Sequence, residues 1–343
     1  MAYFFRQKTT STLKKLKKSS KKVVIIGAGN IGSRHLQALK AVKIPLEIFV
    51  IDPSQASLDL SKERYKSMPE GKFSQEVNFF SEISKNIKSA DLAIIATCSD
   101  IRAEVFRKLL KKTKIKYLVL EKLLFNKKGD YKSIGTLLKK TKIKTWVNCP
   151  MRTMPFYKSI QPEFKGQKIA YYGTWGGGGL MTISIHYLDQ MVFMTGSDDF
   201  TVNTEGIDPK LVLSKRKGFL DLTGALRVLF KNGSVGNFVC FKDSDFPDLV
   251  QFHCDKVGCI SKEKEGKALV SRAKDNWQWK EVEARVPFQS QLTTTLVENI
   301  LLKGTCDLVE YEQSAKIHLQ LLEPVLKFIN KQSGRKYKEY PFT

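Results

Sequence analysis

Three glycines spaced Gly27-x-Gly29-x-x-Gly32, in the run GAGNIG, directly follow the apolar run VVII and open a segment of helical periodicity. Glycines so spaced permit a tight turn, bring backbone close to a phosphate and let a helix pack closely on a strand, its N-terminus facing the anion. Asn30 and Ile31 lie inside the same turn. Asp52 stands 25 positions after Gly27, at the end of the next apolar run. A carboxylate there accepts hydrogen bonds from both hydroxyls of an adenosine ribose and repels a 2′-phosphate. Pro53 and Ser54 follow it and offer no cation to hold such a phosphate. These residues therefore suit a dinucleotide, NAD in preference to NADP; the alternative is a purely structural glycine turn in another doubly wound domain.

Short apolar runs must carry these residues to one edge. VVIIG, LEIFVID, DLAIIAT from Asp91, KYLVLEK from Lys116 and TWVNCP near Thr145 read as strands. Between them come amphipathic stretches over 31–42 and 57–66, then AEVFRKLLKK and YKSIGTLLKKT. Strand and helix alternating at this interval predict an α/β unit over 23–147, a parallel sheet wrapped on both faces. After Pro150 the texture becomes β-rich: KIAYYGTW, LRVLFKNGSVGNFVCF with its Asn232-Gly233 turn, VQFHCDKVGCI and KALVSRAKDNWQWKEV. These predict consecutive antiparallel strands, interrupted by helices near 184–194 and 312–331, in an α+β domain over 148–343. Residues 1–22 combine Tyr3, Phe4 and Phe5 with a Lys/Ser/Thr tract that cannot form a core, and predict a basic, disordered arm.

Composition narrows the function classes. The 343 residues suffice for two domains with cores of their own. No apolar run approaches the roughly 18 residues of a membrane helix. The 58 Lys and Arg against 34 Asp and Glu give a formal charge of +24, but 47 of the cations are lysines spread through nearly every segment. That spread, with no recognisable nucleic-acid-binding module, argues against nucleic acid as a partner. Six cysteines without CxxC pairing argue for a reducing, cytoplasmic setting and against a zinc site; no metal is expected.

The runs GAGNIGSRH, EKLL from Glu121, NCPMRTMPFY from Asn148 and GGGGLMTISIHYLD from Gly176 resemble, in order and spacing, the glucose-fructose oxidoreductase / inositol 2-dehydrogenase (Gfo/Idh/MocA) family. The resemblance runs from about Val23 to Gln332. It implies an N-terminal Rossmann domain and a C-terminal domain with an open, mostly antiparallel sheet that often serves as an oligomer interface, hence a homodimer or homotetramer. It also implies nicotinamide-dependent oxidation or reduction of a sugar, nucleotide-sugar or polyol hydroxyl.

Carried onto this chain, the resemblance assigns Glu121 to the cofactor site and Lys122 to catalysis, as the first two positions of an EKP motif whose proline is here Leu123. An ammonium beside the reacting oxygen can hydrogen-bond it and stabilise developing negative charge. Thr97 and Cys98 stand where the family has Thr-Pro near the nicotinamide ribose. Arg102 takes a usual histidine position, as a ligand for a substrate carboxylate or phosphate or else as a surface cation at a helix start. Asn148 and Arg152 match cleft-facing substrate positions. His186 and Asp189 match the HxxD end of a DxGxHxxD motif whose first Asp and Gly are here Thr182 and Ser184. His186 is then an acid/base or substrate ligand, or a core histidine satisfied by Asp189; Thr182 and Asp189 are assigned to the substrate. An anionic or nucleotide-linked sugar is the expected substrate. Loss of the motif aspartate keeps open a redox-neutral, NAD-retaining glycosidase- or epimerase-like enzyme and a non-catalytic NAD sensor or scaffold.

Overall fold

The computed structural model describes residues 20–343. Most of the arm expected over 1–22 lies outside the described residues, but Lys21 and Lys22 are strand residues, so the first strand starts two residues earlier than expected. The chain then runs β1 (Lys21–Ile26), α1 (Asn30–Leu39), β2 (Leu46–Ile51), α2 (Gln55–Lys66), β3 (Glu76–Phe80), β4 (Ser89–Ile95), α3 (Ser99–Lys112), β5 (Lys114–Leu120), α4 (Lys128–Thr141) and β6 (Lys144–Val147). These six strands pair in parallel in the order β6-β5-β4-β1-β2-β3. Central strands read as unbroken Val/Ile/Leu runs because helices cover both faces; Val23, Val24, Ile25, Leu92 and Ile94 are wholly buried. The edge strand β3, EVNFF, is half-exposed on both faces and had no apolar run to betray it.

After a 3₁₀ turn at Pro150–Thr153 come α5 (Pro155–Phe164), β7 (Ala170–Gly176), α6 (Leu180–Thr195), β8 (Phe200–Asn203), the short pair β9 (Val212–Leu213) and β10 (Leu220–Asp221), β11 (Gly224–Phe230), β12 (Val235–Phe241), β13 (Leu249–His253), β14 (Val257–Lys262), β15 (Lys267–Arg272) and β16 (Lys280–Glu283). The chain closes with α7 (Gln289–Lys303), β17 (Val309–Glu310) and α8 (Tyr311–Gln332). Eight strands form the second sheet, β16-β15-β14-β13-β7-β12-β11-β8. The hairpin at Asn232-Gly233 forms as its turn residues predict, with Gly233 at φ +85°. The strands are not all antiparallel in succession: β7 inserts between β12 and β13 and runs parallel to β12. A mostly antiparallel second sheet behind a Rossmann sheet is the expected fold class, and it is borne out.

Helix α6 is buried on nearly every side, packed against β11 and β12 on one side and α5 and α8 on the other. That environment explains its apolar composition, which leaves Asp189 and Gln190 as buried polar residues needing partners. The C-terminal portion does not stay in the second domain. β17 pairs antiparallel with β6, at Val309↔Val147 and Glu310↔Trp146, and extends the first sheet to seven strands. α7 lies along α1, where Thr294 Oγ1 donates to the Ala38 carbonyl at 2.8 Å and Glu298 accepts from the Lys43 N–H at 2.7 Å. Among the described residues no helix is long and apolar enough to cross a membrane.

Candidate active site

The glycine turn lies where β1 feeds α1. Gly27 has φ +94°, and a Cβ there would sit 2.9 Å from the Ala96 carbonyl carbon on β4's exit loop. Gly32 packs α1 so closely that a Cβ would lie 1.7 Å from the Gly27 oxygen. Gly29 differs: a Cβ there would meet nothing within 4 Å, so its backbone faces open space at the N-terminus of α1. Asp52, at the end of β2, accepts from Ala28 N at 2.7 Å with Oδ2 and from Ser54 N at 2.8 Å with Oδ1. It therefore ties the glycine turn to the end of β2 while keeping lone pairs for further donors.

A cavity of about 400 Å³ opens from this turn. Asn30, Ile31, Ala96 and Thr97 line its first side; Glu121, Lys122 and Asn148 line the middle; Thr182 and His186 close it from α6. Thr97 Oγ1 is buried without a partner among the described residues. An open glycine cradle, a helix N-terminus, the carboxylate that ends β2 and this unpaired hydroxyl would suit a dinucleotide, and Lys122 lines the same cavity. Cys98 caps α3 but lies outside the cavity lining.

Lys122 Nζ donates to the Thr182 carbonyl at 2.9 Å, which aims the amine across the cavity at the first turn of α6. Burial lowers its pKa, with Arg216 adding to the effect and Glu121, Cys149 and Asp221 opposing it. Glu121 is held by a closed ring of hydrogen bonds. Its Oε1 accepts from His35 Nε2 at 2.9 Å and from Asn148 Nδ2 at 2.6 Å. His35 Nδ1 meets Thr293 Oγ1 at 2.8 Å, Thr293 Oγ1 accepts from Gln289 Nε2 at 2.9 Å, and Gln289 Oε1 accepts from Asn148 Nδ2 at 3.0 Å. Burial alone would raise the Glu121 pKa, but His35, Asn148 and the Arg102 charge outweigh it and keep the carboxyl below its ordinary value. Glu121 and Asn148 thus stand beside the cavity with most of their hydrogen-bonding capacity already used.

His186 has an unpartnered, buried Nδ1, and burial together with the nearby Lys122 charge lowers its pKa to about 3. It is a neutral imidazole at physiological pH. Asp189 does not satisfy it. That carboxylate makes a bidentate pair with Arg152, Nε to Oδ2 and Nη2 to Oδ1 both at 2.7 Å. Burial raises the Asp189 pKa against the opposing pull of Arg152. Neither Arg152 nor Asp189 lines the cavity, so both depart from the substrate role expected of them and instead join the 3₁₀ turn to α6.

Arg102 lines the cavity as well, but as a clamp on the backbone. Its side chain is buried, and its guanidinium donates to the carbonyls of Leu123, Leu124 (2.7 Å) and Thr97. It clamps the loops after β4 and β5 together. Desolvation lowers its pKa to about 10, which leaves it charged; its Nη donors face carbonyls, and its buried Nε has no partner among the described residues.

Thr182 does line the cavity, and its hydroxyl donates to Asp221 Oδ2 at 2.5 Å. Asp221 also accepts from the N–H groups of Met181 (2.7 Å), Thr182 (3.3 Å) and Leu222 (2.8 Å), so it caps α6 from β10. Trp175 and Tyr187 pack on one another at 5.5 Å in the core and do not line the cavity. Sequence reasoning missed His35, Gln289, Thr293 and Asp221. His35 alone had a signal, being the histidine of GAGNIGSRH, one helical turn past Gly32.

Fold and site define a dinucleotide-dependent dehydrogenase or reductase. Residues 21–149 match the oxidoreductase family with NAD-binding Rossmann fold, GFO_IDH_MocA, in line with the resemblance that the motifs of that segment carry. No curated protein matches the chain. Among solved structures it is similar to UDP-N-acetylglucosamine 3-dehydrogenase GnnA from Acidithiobacillus ferrooxidans, at 12% identity and TM-score 0.69, covering 90% of this chain and 98% of that one. It is also similar to an oxidoreductase from Agrobacterium radiobacter in complex with NAD+, L-tartaric acid and magnesium (14%, TM-score 0.68, 92% and 98% covered). A third is a mutant of the 3-ketoreductase KijD10 from Actinomadura kijaniata, in complex with TDP-benzene and NADP (11%, TM-score 0.64, 91% and 98% covered).

Proposed function

We propose that this chain is an NAD-dependent dehydrogenase or reductase that interconverts a hydroxyl and a keto group on a sugar, nucleotide-linked sugar or related polyol. The observation that carries this reading is a single cavity that joins the glycine-turn residues Asn30 and Ile31 to Lys122, Thr182 and His186. A bound nicotinamide supplies the acceptor or donor of the hydride. In the oxidation direction, the substrate carbon loses hydride while its hydroxyl proton passes to the Lys122 amine. In reduction, the ammonium returns that proton to the oxygen. Its lowered pKa brings both protonation states closer to working pH, and its bond to Thr182 sets its direction. Neutral His186 offers a hydrogen bond to a substrate hydroxyl; its depressed basicity makes Lys122 the principal proton carrier.

NAD is favoured over NADP by Asp52 and by the lack of a cation at Pro53 and Ser54. Of the similar structures, one holds NAD+ and another NADP. Self-association as a homodimer or homotetramer is part of the proposal, through the open face of the second sheet, along which Tyr172, Leu229 and Phe241 are exposed. A cytoplasmic setting is supported by six free cysteines.

The test is NADH formation or consumption with a panel of sugars, nucleotide-sugars and polyols, for the native protein and Lys122→Met. Stoichiometric NADH turnover is expected, reduced roughly 10²–10⁴-fold in the variant with NADH affinity retained. Tight NAD binding without net NADH change on any substrate would refute this reading in favour of a redox-neutral enzyme or a sensor.

A further inference from the structure

With Arg102 committed to backbone carbonyls, the cations available to an anionic substrate must lie elsewhere. A second cavity, of about 540 Å³, adjoins the first and shares Gly178, Ser214 and Lys215 with it. Its floor is the run Gly177, Gly178 and Gly179, at φ +64°, +81° and +93°, which presents bare backbone to the interior. A Cβ at Gly179 would overlap the Asp221 carboxylate, so this position of the floor cannot carry a side chain. Lys210, Lys215 and Lys242 stand on its walls, and Arg216 stands on the side shared with the reaction cavity.

Two carboxylates border these cations, fewer than the four positive charges they face. Asp221 spends both oxygens on the start of α6, as described above. Asp243 lies 3.6 Å from Lys242 and answers one charge only. Lys210, Lys215 and Arg216 have no ion-pair partner among the described residues. Arg216 is close enough to depress the pKa of both Lys122 and Arg102, so the positive field extends into the reaction cavity. Like charges gathered around a concave, glycine-floored space repel one another until an anion enters, and a cleft focuses that field toward the ligand.

We propose that this second cavity binds the phosphoryl groups of the substrate, the diphosphate of a nucleotide-linked sugar, with Lys210, Lys215, Lys242 and Arg216 as its ligands and the sugar reaching through the shared rim to Lys122. The inference rests on the dehydrogenase reading and adds to it the substrate's anionic handle and the residues that hold it. Arg216 supplies a planar fork suited to phosphate oxygens, and the three lysines act as point charges around it.

The experiment is calorimetric titration of the full chain with UDP, inorganic pyrophosphate and inorganic phosphate, with NADH saturating so that the glycine turn of α1 is already filled. Native protein is compared with Lys210→Ala/Lys215→Ala/Lys242→Ala and with Lys111→Ala/Lys132→Ala/Lys140→Ala, which removes the same charge from exposed positions on α3 and α4. UDP and pyrophosphate are expected to compete for one site, and their Kd to rise by at least about tenfold in the first variant alone, with NADH affinity and Tm unchanged. Phosphate binding as tightly as pyrophosphate would overturn the diphosphate in favour of a sugar phosphomonoester. Equal affinity in all three proteins, equal losses in both variants, or no binding of UDP to the native protein would each overturn the subsite. If NADH-linked turnover of an uncharged sugar persists in those cases, only the subsite fails; if no sugar supports NADH turnover, the parent reading fails.

Discussion

Two alanine substitutions in the same turn should behave oppositely. At Gly32, an added Cβ would lie 1.7 Å from the Gly27 carbonyl oxygen and 3.5 Å from the Ala96 Cβ. The obstacle is backbone on a buried strand-helix junction, so no rotamer change can relieve it. Overpacking a core costs about 1–3 kcal/mol even where side chains can shift, and with rigid backbone as the obstacle Gly32→Ala should lose about 3 kcal/mol or more. At Gly29 the Cβ meets nothing within 4 Å, and the backbone sits at φ −65°, an ordinary value for alanine. Folding should lose only about 1 kcal/mol, the usual disadvantage of alanine at an N-cap. The methyl group nonetheless projects into the space assigned to the pyrophosphate. Displacing it from one charge-assisted hydrogen bond costs about 1.5–3 kcal/mol, which at about 1.4 kcal/mol per decade weakens NADH roughly 10- to 100-fold. Urea unfolding and NADH fluorescence titration read the two effects separately. A Gly29→Ala protein that binds NADH like the native chain would refute the placement of the pyrophosphate, and a Gly32→Ala protein of native stability would refute the packing argument.

Other perturbations follow from the same geometry. Arg152→Met strands the buried Asp189 carboxylate and should destabilise the fold by about 3–5 kcal/mol at neutral pH, with much of that recovered in Arg152→Met/Asp189→Leu; urea unfolding of both variants checks it. His186 and His318 are both held near pKa 3 by burial, below their ordinary 6.5, so the unfolded chain binds protons that the native one refuses. Their contribution to stability is present above about pH 6.5 and falls by about 1.4 kcal/mol per pH unit for each histidine as the solution is acidified toward pH 3. The difference in pH dependence between the native protein and His318→Gln isolates one of them; identical slopes would contradict the burial argument. Asp52→Ser should weaken NADH and narrow the preference over NADPH, measured by titration with both; an unchanged ratio would remove Asp52 from the ribose assignment.

How much of the site was legible depends on whether a residue's partners are near in sequence. Gly27, Gly29, Gly32 and Asp52 announce themselves because a turn, the helix that follows and the strand end beside it are local objects with fixed offsets. Lys122 was legible as the residue after an apolar strand in a motif of known order. His186, Arg102, Asn148, Arg152 and Asp189 are in the right region of the chain, but their side-chain partners are not local. Arg102 reaches carbonyls 21 and 22 positions away, and Asp189 takes an arginine 37 positions upstream rather than the histidine three before it. Arg152 therefore serves the frame of the site, where the spacing HxxD had allowed Asp189 to serve His186.

From the chain alone come the alternation of strands and helices, the glycine turn, the two-domain α/β then α+β order and the lysine after the fifth strand. All follow from periodicity and local backbone constraint, which act over a few residues. Three-dimensional packing alone decides that β17 and α7 return to the first domain, that Glu121 is held by a ring through His35, Thr293, Gln289 and Asn148, and that Asp221 caps α6 beside Thr182. It also decides that Lys210, Lys215, Lys242 and Arg216 stand around the second cavity and its rim, while Arg102 is engaged by backbone carbonyls. A buried polar group must find a partner wherever the fold provides one, and that choice is made across the whole molecule after the elements have formed.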